Sequence, residues 1–106
     1  MEGIVYYNDG TNVAWWPLDS FKGVIPISDT TMNVYFMPYS EVGLDEGLDN
    51  DFVTLTIGTN KHKEVCQSIA EAFVFPENNL IKLWDSDTGD KIDTNVSGAT
   101  VTTMSV

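Results

Sequence analysis

The stretch TLTIGTNKHKEVCQSIAEAF, residues 54–73, is where the apolar pattern changes period, and that change decides the fold. Its first part continues an alternation that begins at Phe52. Val53, Leu55 and Ile57 fall on one side and Thr54 and Thr56 on the other, the pattern of a half-buried strand. Gly58 breaks the strand, and Thr59 or Asn60 is suited to cap a helix. The spacing then predicts a helix over about 61–74. At about 100° per residue, Val65, Cys66, Ile69, Ala72 and Phe73 form a stripe roughly 120° wide, while Glu64, Gln67, Ser68 and Glu71 face water. This helix opens with Lys61, His62 and Lys63, although a helix N-terminus already carries partial positive charge.

Outward from this junction the chain reads as strands. Residues 3–8 (GIVYYN) are rich in β-branched and aromatic side chains and stop at Asp9-Gly10, a hairpin signal, so residues 13–18 pair back across them. Residues 23–27 contain Pro26 and read as extended but unsuited to a sheet centre. Residues 32–37 (MNVYFM) form a strand with Met32, Val34 and Phe36 on one face and Asn33, Tyr35 and Met37 on the other. Residues 41–51 hold five acids, two glycines and no base, and read as a solvated loop. After the helix, residues 80–84 are a strand, 85–90 a turn and 91–96 a return strand. Ser97-Gly98 turns again and 100–106 close the fold. The fold class is α+β: one domain over 1–106, a mostly antiparallel or mixed β-sheet with one amphipathic helix packed on it.

Composition narrows the partners. Sixteen acids face five bases, for a net charge of −11, and all five bases are Lys. Without Arg the chain lacks the commonest base-reading side chain, and its acidity repels nucleic acid and anionic lipid. The expected partner is protein, with no nucleic acid and no membrane. No apolar run approaches the roughly 18 residues that span a bilayer. The start MEGIVYYNDG reads as no signal peptide, so synthesis in a cytoplasm is expected.

Reactive constellations are weak. His62 and Cys66 share a helix face at i, i+4, but no further His or Cys completes a zinc set. As a nucleophile Cys66 needs exposure and an orienting third group, and it lies in the apolar stripe instead. Asp85 to Asp93 (DSDTGDKID) resembles a calcium loop, yet position six is Asp90 rather than Gly and position twelve is Val96 rather than Glu. A hairpin turn with Gly89 at positive φ accounts for the same residues. The expected catalytic, metal and cofactor sets are therefore empty. Candidate partner contacts are the apolar Trp15, Trp16, Tyr35 and Met37 and the basic trio Lys61, His62 and Lys63. In a chain of net −11 the trio is placed to meet acids, from the 41–51 loop or from a neighbouring copy.

Residues 17–38 (PLDSFKGVIPISDTTMNVYFMP), 53–73, 79–85 (NLIKLWD) and the ending SGATVTTMSV resemble small virion structural proteins of marine tailed phages, the cyanophage type especially. The resemblance implies a non-enzymatic structural protein located in the virion. Its implied role is capsid decoration or cementing, with the major capsid protein as partner and a homo-oligomer as the active form. The competing expectation is a small phage inhibitor whose acidic surface imitates DNA and blocks a host enzyme.

Overall fold

The computed structural model describes residues 3–37, 51–74 and 80–102. Among these described residues, eight strands form two four-stranded sheets, accompanied by one α-helix and one 3-10 turn. The strands are β1 (Ile4–Asn8), β2 (Val13–Pro17), β3 (Phe21–Ser28), β4 (Thr31–Phe36), β5 (Asp51–Ile57), β6 (Leu80–Asp85), β7 (Asp90–Lys91) and β8 (Val96–Thr102). The helix α1 is His62–Val74, and Leu18–Ser20 form the 3-10 turn. The α+β class is as the sequence predicts, with the strands divided between two sheets.

The first sheet has the order β2-β1-β6-β7 and is mixed, because β1 runs parallel to β6. The second has the order β3-β4-β5-β8 and is antiparallel throughout. Met32 pairs with Leu55 and Val34 with Val53, so the alternating apolar sets of β4 and β5 share one face. That face is fully buried. It meets the inner face of the first sheet, and the indole of Trp16 stacks on the ring of Phe36 at 4.4 Å and 5°. Helix α1 adds Val65, Ile69 and Phe73 to the same core, with Cys66 and Ala72 partly buried beside them. Phe73 meets Phe21 edge-on at 4.7 Å, which ties the end of the helix to β3.

Several local expectations change. The first helical bond runs from the Val65 N–H to the Lys61 carbonyl, so Lys61 occupies the cap position rather than Thr59 or Asn60. Asn60 takes a left-handed φ of 60° and donates its N–H to Asp29, making the turn into the helix. Ser68 turns to Asp93 instead of facing water alone. The return strand over 91–96 shrinks to Asp90–Lys91, because the Asp93 carboxylate accepts from the Asn95 N–H at 2.7 Å and the Asn95 amide at 2.9 Å. The chain therefore reverses at 92–95. Ser97 and Gly98 lie inside β8, with Gly98 opposite Thr56. Of the acidic 41–51 loop only Asp51 lies within the described residues, and it is a buried strand residue.

Candidate interaction face

Burying one side of β4 and β5 commits the other side to the opposite surface of the sheet. Cross-strand register then sets three rows on that outer surface. Gly23, Tyr35, Phe52 and Thr102 form one, Ile25, Asn33, Thr54 and Thr100 the next, and Thr31, Thr56 and Gly98 the third. None of these residues is charged, in a chain where 20% of residues are. Chance placement of charge on a solvated surface does not readily leave such a gap, since solvent-facing sheet positions are where charge is cheapest to carry.

The face is ordered by its own contacts. The Thr54 hydroxyl donates to Asn33 Oδ1 at 2.7 Å, and Asn33 Nδ2 donates to the Tyr35 hydroxyl at 3.0 Å. The Tyr35 and Phe52 rings lie 5.4 Å apart. Tyr35 is thereby held from both sides, which lowers the entropy lost when a partner covers it. Ile25 is 52% exposed, and Met37, just beyond β4, is 49% exposed. Among the described residues α1 packs on the inner side of this sheet, so the helix leaves the outer side uncovered.

The predicted contact residues separate. Tyr35 lies on this face, and Met37 continues the outward alternation of Asn33 and Tyr35 at its margin. Trp15 lies on β2 in the other sheet, 47% exposed. Trp16 is not a contact residue. It is fully buried, stacked on Phe36, and its Nε1 donates to Asp51 Oδ2 at 3.1 Å. Adjacent strand residues point to opposite faces, so only one tryptophan of the pair reaches solvent. The basic trio sits at the start of α1 beside the β3–β4 turn. His62 Nε2 is 2.6 Å from the Ser28 carbonyl oxygen, which gives this residue an intramolecular role in seating the helix. Lys61 and Lys63 are exposed.

Other groups are spent on structure. Burial pushes the Cys66 thiol up, away from the thiolate a nucleophile or metal ligand needs. The 85–90 turn is a hairpin with Gly89 at φ 81°, as the sequence suggests. Within it Lys82 bridges Asp85 at 3.0 Å and Asp90 at 3.2 Å, and Asn8 Nδ2 donates to Asp85 and Asp87. The bond from Lys82 holds the Asp85 carboxyl below its ordinary range, and the same contact raises Lys82. Among the described residues there is no group of three or more His, Cys, Asp or Glu placed to hold a metal ion. No described helix is long and apolar enough to cross a membrane.

No family model, no curated protein and no solved structure matches this chain. The uncharged face was missed in the sequence, although its residues are plain there. Its signal is the coincidence of uncharged outward positions in four strands, and that coincidence exists only once register aligns them.

Proposed function

We propose that this chain is a non-enzymatic structural protein of a tailed-phage particle. It attaches to the capsid lattice, with the major capsid protein as its partner, and acts in decoration or cementing. One observation carries the binding part of this reading: a strongly acidic molecule keeps three cross-strand rows on the outer face of its β3-β4-β5-β8 sheet free of charge, with Lys22 of β3 outside those rows and a pinned Tyr35 and Phe52 at one end. Removing charge from a surface reduces the desolvation cost of covering it. The particle part rests on the resemblance of residues 17–38, 53–73 and 79–85 to small phage virion proteins. Many copies on a lattice convert weak single contacts into firm attachment, because each further contact is effectively intramolecular.

The deciding experiment is mass analysis of purified particles. The reading expects this chain at high copy, and expects Tyr35→Glu or Phe52→Lys to leave it folded but lost from particles. Absence from particles would overturn it. The net charge of −11 favours a second reading, an inhibitor that imitates DNA. Such an inhibitor would stay off particles, and its inhibition of a DNA-binding enzyme would weaken steeply as salt rises.

A further inference from the structure

Asp9-Gly10, at the tip of the β1–β2 hairpin, is the only Asp-Gly or Asn-Gly pair in the chain. Such a pair carries its own reaction. The glycine nitrogen attacks the aspartate side-chain carbon Cγ and a C–N bond forms. A carboxyl oxygen leaves as water, taking the acid proton and the amide proton. Water then opens the cyclic imide. Entry at Cγ restores aspartate. Entry at the main-chain carbonyl breaks the original peptide bond and leaves the backbone running through Cγ, as isoaspartate. Water leaves and water returns, and nothing is oxidised or reduced. Glycine favours the attack because no side chain crowds its nitrogen. Gly10 and Thr11 are exposed, so solvent reaches the site.

We propose that Asp9 is this chain's site of isoaspartate formation, and that the folded hairpin tip holds the reaction shut through Tyr7 and Asn8. Both reacting groups are already engaged. Asp9 Oδ2 accepts from the Tyr7 hydroxyl at 2.6 Å. Asp9 Oδ1 accepts from the Thr11 N–H at 2.9 Å and the Asn12 N–H at 2.7 Å. Whichever oxygen leaves, its hydrogen bonds go with it. The Gly10 N–H, whose proton must also depart, donates to Asn8 Oδ1 at 2.9 Å. Asn8 is itself anchored, since its Nδ2 donates to Asp85 and Asp87 of the turn after β6. The three donors around Asp9 favour the ionised carboxylate, which lacks the acid proton that the departing water needs. The product would lengthen the turn beyond the paired Asn8 and Val13 by one backbone carbon and draw the carboxylate away from Tyr7. The fold therefore protects Asp9 while closed and exposes it when the tip opens.

This inference does not depend on the phage reading. The full chain is incubated in mildly acidic heavy-oxygen water, well below its unfolding temperature. Each passage through the imide leaves a heavy oxygen in the peptide that holds Asp9, whichever way the ring opens, and backbone fragmentation identifies the isoaspartyl product. The urea-unfolded chain should take up label at Asp9 at least about a hundred-fold faster than the folded chain, because closing the ring in the fold sacrifices several charge-assisted bonds. Folded Tyr7→Phe, which loses one of them, should label about ten-fold faster than the native chain. Ile69→Val, which loosens the core at α1 instead, should label at the native rate. Equal rates in the folded and unfolded chains overturn the proposal. So does an unfolded chain that forms no isoaspartate at Asp9, or Ile69→Val accelerating as much as Tyr7→Phe, which would assign the protection to global stability. Should Tyr7→Phe fail to fold, the ratio of unfolded to folded rates decides.

Discussion

Trp15 and Trp16 are neighbours in sequence with opposite fates. Trp16 fills the space between the sheets and gives its N–H to the buried Asp51, while Trp15 stands nearly half in water. Trp16→Ala should cost about 3–5 kcal/mol by the cavity it opens, and Trp15→Ala under about 1 kcal/mol, read by urea unfolding. Tyr7 shows how a buried ring serves a surface turn. Its hydroxyl donates to Asp9 Oδ2 at 2.6 Å. That bond, with the Asn12 and Thr11 N–H groups, holds the Asp9 carboxyl down at about 2, while burial raises Tyr7. A depressed carboxyl stabilises the fold above its unfolded value and loses that contribution as pH falls through about 2. A raised tyrosine keeps its contribution below its ordinary value and loses it as pH climbs beyond. In Tyr7→Phe, carboxyl NMR should find Asp9 titrating between about 2 and its ordinary 3.8, because the Asn12 and Thr11 bonds survive. An unmoved Asp9 would show that the hydroxyl does nothing there.

At the scale of elements, the strand and the helix within residues 54–73 were legible, because their two periods, 2 and 3.6, do not imitate each other. The cap was not. Thr59 and Asn60 are good capping residues by type, but the backbone spends them on a left-handed turn tied to Asp29, and Lys61 inherits the cap. Lysine has no oxygen to offer the first N–H groups, and its charge opposes the dipole. Lys61→Ser should therefore stabilise the fold by about 0.5–1 kcal/mol in thermal or urea unfolding. The 91–98 segment misled for a related reason. Ser-Gly is a turn pair by composition, yet the Asp93 side chain builds the reversal three to five residues earlier, and pairing with β5 draws Ser97-Gly98 into a strand. The Asp-Thr-Asn run at 93–95 carried that signal. β3 behaved as its proline demands, at an edge.

For the whole molecule, two electrostatic tendencies compete. Net charge of −11 makes the compact state repel itself at neutral pH. Specific bonds meanwhile favour ionised carboxylates. Asp85 is lowered by Lys82. Asp93 is pushed up by burial, but is lowered overall by Ser68, Asn95 and Lys91. Raising salt from about 20 mM to about 0.5 M at pH 7 should raise Tm by screening the general repulsion. Below the ordinary carboxylate range the sign reverses. Asp9, Asp85 and Asp93 hold fewer protons folded than unfolded, so stability should fall as pH drops through their depressed values. A Tm that fell with salt at pH 7 would contradict this balance. The division of strands between two sheets could not be read from the sequence, because a strand's own pattern states which side is apolar but not which sheet it joins.

The pairing of Ile4 with Leu80 has a consequence in time. β3, β4 and β5 are consecutive in the chain and can zip as neighbours. The β1–β2 hairpin must instead wait for β6, 76 positions later (80 − 4), before its central strand gains a second neighbour. Closing so long a loop is the slow kind of folding event. During synthesis the first hairpin therefore stays half-paired until β6 has left the ribosome.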